Sequence, residues 1–153
     1  MEATLGAMAP FSRFFSQSAW ATHRGDDGIA DFVFGNPHEM PLPAFVNALE
    51  RAVPPRDALW FGYKENEPES RAVVARSLQS QRGVPFEASD VFMTNGGFSA
   101  LSVSIAALTD PGDEVIYITP PWFFYEAIIV SHGATPVRVP VDPDTYDLDL
   151  DAI

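Results

Sequence analysis

Two short stretches carry residue types that can hold a flat, phosphorylated ligand. The first is Thr94-Asn95-Gly96-Gly97-Phe98-Ser99-Ala100-Leu101. A β-prone run feeds a glycine turn that opens a helix, so free backbone N–H groups and the positive helix end converge on one spot. Such a turn binds phosphate without a basic side chain; the plainer reading is a sharp strand-to-helix turn and nothing more. The second stretch is Pro120-Pro121-Trp122-Phe123-Phe124-Tyr125. It follows the next predicted strand, on the same carboxyl edge of the sheet, where open α/β sheets bind their ligands. Trp122 can stack on a flat ring there, although aromatic clusters at helix starts more often belong to a core. The chain has no G-x-G-x-x-G and no G-K-[ST], so a dinucleotide fingerprint and a P-loop are both disfavoured.

Other chemistry is scarce. Lys64 is the only lysine and sits in the charged loop Tyr63-Lys64-Glu65-Asn66-Glu67, which reads as a solvated position. The three histidines, His23, His38 and His132, are too scattered for a zinc site, and cysteine is absent. His38 reads as a surface-loop residue and His132 as a residue favoured by a helix carboxyl end. The acidic run 142–151 lacks the sixth-position glycine of a calcium loop. No metal site is expected.

Composition narrows the class. With 153 residues, 46 % of them hydrophobic, the chain can bury a core. Nine Lys and Arg against 21 Asp and Glu give a net charge of −12, which argues against nucleic acid and against an anionic membrane surface. No apolar run reaches the roughly 20 residues that span a bilayer. The N-terminus lacks the pattern of a secretory signal, so the cytoplasm is the expected compartment.

The elements that must position these stretches follow from periodicity and punctuation. Residues 1–30 read as an arm with a short helix over 11–20, and 29–34 as an apolar, β-prone run before the turn Gly35-Asn36-Pro37. Helical spacing runs from Pro43 to Val53 and stops at Pro54-Pro55. A second helix is predicted over 68–82, with proline in its first turn, a buried stripe of Ala72, Val73, Ala75 and Leu78, and Gly83 as its cap. Strands are predicted at 90–94, 114–119 and 134–141, alternating with helices at 98–108 and 122–132, the first of them buried. This order implies an α/β fold with a mostly parallel sheet covered by helices. After Asp151 a helix start is left with two residues, so the pattern reads as part of a domain with exposed edges.

Taken together, TNGGFSAL, the Asp110-Pro111-Gly112-Asp113-Glu114-Val115 turn, PPWFFYEAI and His132-Gly133-Ala134 resemble the class I/II aminotransferases. Gly35-Asn36-Pro37, Tyr63 and Gln81-Arg82-Gly83 agree, so the resemblance spans about residues 30 to 151. It implies the three-layer sandwich of fold-type I enzymes dependent on pyridoxal 5′-phosphate, with residues 1–43 as arm and small-domain segment and 44–153 as the start of the cofactor-binding large domain. By the same resemblance Gly96, Gly97 and Phe98 hold the cofactor phosphate and Trp122 stacks on its pyridine ring. Tyr63 reaches the phosphate of the partner subunit, which implies a homodimer, and Gly35 lies near the substrate carboxylate. Tyr125 matches a recurrent aromatic position.

The chain departs from the pattern at Tyr63-Lys64-Glu65-Asn66-Glu67-Pro68, where the loop is two or more residues shorter than in many members and lacks their glycine. The family's later half supplies a cofactor-binding asparagine and aspartate, the Schiff-base lysine and a carboxylate-binding arginine. None has a counterpart here, and Lys64 is not in the context of that lysine, so no catalytic residue is assigned. The implied reaction moves an amino group between an amino acid and a 2-oxo acid, with this chain alone inactive. Alternatives are another fold-type I enzyme, such as a carbon–sulfur lyase or a cyclopropane-forming synthase, and a non-catalytic short form.

Overall fold

The computed structural model describes residues 1–37 and 39–153; His38 lies outside the described residues. They divide into two compact units, Met1–Ile29 with Thr94–Ile153, and Ala30–Met93.

The first unit is built on a β-α-β crossover. Strand β1 (Glu114–Thr119) pairs in parallel with β2 (Thr135–Pro140), in a register that sets Glu114 opposite Thr135 and Tyr117 opposite Arg138. Helix α6 (Tyr125–Ser131) joins them and buries Ala127, Ile128 and Ile129. Tyr117, Ile129 and Ala134 form the core, with Ile105, Val115 and Tyr125 packed on it. The strand starts are pinned where Gly112 donates its N–H to the Gly133 carbonyl at 2.9 Å and Thr135 donates to that of Asp113 at 2.7 Å. Helix α5 (Gly96–Leu108) precedes β1 and buries none of its residues, with Val103 and Leu108 exposed. The expected buried helix is therefore an apolar helix largely open to solvent.

Sequence periodicity underestimated the N-terminal segment. It forms α1 (Glu2–Gln17), running through Pro10, and α2 (Ala19–His23). Ser18 separates them in an extended conformation and caps α2, accepting from the Ala21 N–H at 3.1 Å. Isolated sequence signals fail here because helix stability comes largely from tertiary packing. Phe11 supplies that packing, its ring centroid lying 4.7 Å from that of Phe123 on the segment entering α6.

In the second unit, α3 (Pro43–Ala52) and α4 (Pro68–Arg82) match their predicted spans closely. Gly83 ends α4 at φ 70°, the left-handed conformation that glycine adopts without strain. Of the predicted α4 stripe, Ala75 is buried and Ala72 and Leu78 are half-buried, but Val73 is exposed. Helix α3 buries no residue and exposes Phe45, Leu49 and Val53. Arg71 on α4 donates through Nε to the Ala88 carbonyl at 2.8 Å, holding a 3-10 turn at Ala88–Asp90.

The remaining predicted strand, 90–94, does not form, and neither does one in the β-prone run 29–34. Residues 29–34 and 91–94 are irregular, and the sheet has two strands rather than three. Val91 keeps extended angles, φ −107° and ψ 125°, yet among the described residues no neighbouring strand pairs with it. The acidic segment after β2 folds on itself: Val141 and Leu148 form an antiparallel bridge, and Asp142 accepts from the backbone of Asp144 and Thr145. The Asp149 carboxylate accepts from the Ala152 N–H at 3.0 Å, the cap expected at a helix start.

Candidate active site

The glycine turn is open. Gly96 has φ 78°, a value that disfavours side-chain-bearing residues, and donates its N–H to the Thr94 carbonyl at 2.8 Å. Thr94 reaches back, its hydroxyl donating to the Gly96 carbonyl at 2.9 Å. Ser99 Oγ donates to the Asn95 carbonyl at 3.1 Å. These bonds fix the turn but leave the amides of Gly97 and Phe98 without a backbone acceptor, as expected for the first turn of a helix. A Cβ built on Gly96 or Gly97 meets no atom within 4 Å, so the turn is uncrowded at both positions.

Phe98 and Trp122 meet beside this turn. Their ring centroids lie 5.7 Å apart at an interplanar angle of 80°. Phe124 touches both, 5.3 Å from Phe98 and 5.0 Å from Trp122, and Tyr125 flanks Trp122 at 5.6 Å. Edge-to-face contacts of this kind hold rings in defined orientations. Phe98 remains 48 % exposed and Trp122 37 %, so each keeps surface for a ligand. An apolar hollow of about 550 Å³, lined among others by Leu101, Ile105, Ile118 and Tyr125, borders Trp122.

A polar lock lies close by, and sequence reasoning missed it. Tyr117 donates its hydroxyl to Glu126 Oε2 at 2.8 Å, and Arg138 Nε donates to the Tyr117 oxygen at 2.6 Å. Arg138 also forms a direct ion pair with Glu126 through Nη2. The Arg138 guanidinium holds the Glu126 carboxyl below its usual range, against the opposing effect of burial. Burial, then the hydrogen bond to Glu126, push the Tyr117 hydroxyl up. The cluster ties both strands to the first turn of α6, the helix that follows Trp122. Only the strand register brings Tyr117 and Arg138 together, and no local signal reveals it. A second link, the Ser102 hydroxyl 2.9 Å from His132 Nε2, ties α5 to the end of α6, where the sequence placed His132 for electrostatic reasons alone.

Thus Gly96, Gly97, Phe98 and Trp122 come together in the first unit. Gly35 and Tyr63 belong to the second. Gly35 is exposed, with nothing within 4 Å of a built Cβ, and Tyr63 projects fully into solvent. The loop that carries Tyr63 is organised around Trp60, which has the Arg56 guanidinium 4.9 Å and Lys64 Nζ 4.7 Å from its ring centroid. Lys64 also pairs with Glu67 at 3.1 Å. Asn66 accepts a hydrogen bond from the Met93 N–H, anchoring the shortened loop to the segment that leads into the glycine turn. Among the described residues no group of His, Asp or Glu is placed to hold a metal ion, and no helix is long and apolar enough to cross a membrane.

The sequence matches the family "Aminotransferase class I and II" over residues 28–153. This chain belongs to that family. It is 34 % identical over 119 residues to a probable aspartate aminotransferase of Streptomyces griseus, covering 76 % of this chain and 54 % of that protein. It is 29 % identical over 157 residues to a probable N-succinyldiaminopimelate aminotransferase of Mycobacterium tuberculosis, covering 97 % of this chain and 37 % of that one. The fold matches an aminotransferase structure from Eubacterium rectale with a TM-score of 0.72 at 30 % identity, covering 94 % of this chain and 40 % of that chain. The fold is therefore that of the fold-type I aminotransferases, and the family's N-terminal region is the part represented. The chain spans about half the length or less of these relatives.

Proposed function

We propose that this chain supplies the phosphate- and ring-holding portion of a pyridoxal 5′-phosphate-dependent aminotransferase. The enzyme moves an amino group between an amino acid and a 2-oxo acid, and works as a cytoplasmic homodimer. One observation carries the reading. The unpaired amides of Gly97 and Phe98 open a helix beside the Phe98–Trp122 ring pair, a donor set and a flat apolar face that fit a phosphorylated pyridine.

Gly97 and Phe98 donate their N–H groups to the phosphate, and the positive end of α5 favours its charge. Gly96 contributes the turn that aims them. Trp122 holds the ring flat beside the apolar hollow. Held there, the cofactor would supply an electron sink for the negative charge that develops at the amino-acid α-carbon. Tyr63 reaches the phosphate of the partner subunit, a role supported by its fully exposed ring. Gly35 allows close approach of the substrate carboxylate to the backbone. Residues 1–43 serve as arm and small-domain segment and 44–153 as the start of the cofactor-binding domain. Lys64, held by Glu67 and Trp60, takes no part.

Absorbance titration with pyridoxal 5′-phosphate tests this reading, followed by borohydride treatment and peptide mapping. The expected result is saturable binding that Trp122→Ala weakens, with no pyridoxyl group on Lys64. A pyridoxyl group on Lys64, or binding indifferent to Trp122, overturns it.

A further inference from the structure

We propose that Phe11, on the N-terminal helix, is a positioning residue that sets the orientation of Trp122 through Phe124. The inference deepens the reading above and rests on it for the identity of the ligand. Trp122, Phe98 and Phe124 form a closed triangle of rings, with every centroid pair within 5.7 Å. Phe98 and Trp122 are the members with surface to spare, whereas Phe124 is half-buried. Phe11 packs on the outside of this triangle, its centroid 5.1 Å from Phe124 and 4.7 Å from Phe123. It is itself backed on α1 by Phe15, at 4.4 Å.

The empty space around Trp122 shows why that backing matters. The indole borders the apolar hollow of about 550 Å³ on one side and a second hollow of about 290 Å³ on another. Phe11 lines the smaller one together with Pro10, Phe123 and Trp122. A ring with voids on two sides is held only by the contacts at its edges. Removing the Phe11 ring enlarges the smaller void and frees Phe124, whose ring packs on Trp122, Phe98 and Phe11. The N-terminal helix, outside the matched family region of residues 28–153, thereby enters the site's geometry without touching the ligand.

The test uses the protein that carries this chain, labelled with 5-fluorotryptophan, with the Trp122 fluorine resonance assigned by its loss in Trp122→Phe. Phe11→Ala is expected to shift and broaden that resonance and to weaken binding of pyridoxal 5′-phosphate about tenfold. Phe11→Leu, which retains most of the volume, restores at least half of both effects. Phe14→Ala serves as the control, because Phe14 packs on the same helix against Phe15 and Trp20 but not on Phe124. It leaves the resonance and the affinity within twofold of the unmodified protein. An unmoved Trp122 resonance in Phe11→Ala, or equal effects from Phe14→Ala, overturns the proposal. If Phe11→Ala moves the resonance but no form binds the cofactor, the link from Phe11 to Trp122 stands and the cofactor reading falls.

Discussion

Phe98 and Trp122 come from different elements, the start of α5 and the loop after β1, and meet edge to face with centroids 5.7 Å apart. The contact joins the glycine turn to the aromatic segment, so the groups proposed to hold the two ends of one ligand belong to a single packed unit. If Trp122 acts as a stacking face, Trp122→Ala lowers affinity for pyridoxal 5′-phosphate about tenfold, or about 1.4 kcal/mol. Trp122→Phe, which keeps an aromatic face, loses less. Equilibrium titration of the three forms checks the order.

The two glycines of the turn differ in what they require. Gly96→Ala forces a Cβ onto a residue at φ 78° and is expected to cost about 1 kcal/mol of stability. Gly97 has no such conformation and open space around it, so Gly97→Ala folds as well as the unmodified protein. Urea unfolding of both variants, read by circular dichroism, makes the comparison.

The lock between the strands and α6 gives stability a pH dependence. The folded Glu126 carboxyl lies below its ordinary value of 4.5 because Arg138 hydrogen-bonds it. Its contribution is therefore complete above about pH 5 and is lost as pH falls through the depressed folded value. The Tyr117 hydroxyl lies above its ordinary value of 10.0, chiefly because it is buried, so its contribution is present below pH 10 and is lost as pH rises through the folded value. Glu126→Gln is expected to flatten the acid limb and cost about 1 kcal/mol at neutral pH. Melting curves from pH 3 to 11 decide it; an unchanged acid limb in Glu126→Gln contradicts the assignment.

These elements were not equally legible in the sequence. Helix α4 could be bounded closely because Pro68 and Gly83 act through their own backbone angles, whatever surrounds them. Likewise the glycine turn and the Trp122 segment were recognisable, since each is a local pattern. The segment 90–94 reads as a strand without forming one, because a strand exists only by pairing and composition says nothing about a neighbour. Tyr117, Glu126 and Arg138 went unnoticed for the same reason: their meeting depends on register across two strands and a helix. Helix α1 was underestimated because Phe11 finds its partners more than a hundred residues later.

Tyr63 offers a test that separates structure from assembly. Its ring is fully exposed, so Tyr63→Phe leaves thermal stability unchanged within about 0.5 kcal/mol. If Tyr63 serves the partner subunit as proposed, the same change removes a hydroxyl contact to the cofactor phosphate and lowers affinity several-fold. Parallel melting and binding measurements check both halves; a loss of stability without a loss of affinity contradicts the assigned role.

Binding of pyridoxal 5′-phosphate compared with pyridoxal, which lacks the phosphate, tests the central claim most directly. Two amide donors and a helix end, acting as proposed, predict roughly a hundredfold preference for the phosphorylated form. Calorimetry on the unmodified protein should show that preference, and Gly96→Val, which distorts the turn, should abolish it. Equal affinities for the two compounds, or a preference that survives Gly96→Val intact, would contradict the account.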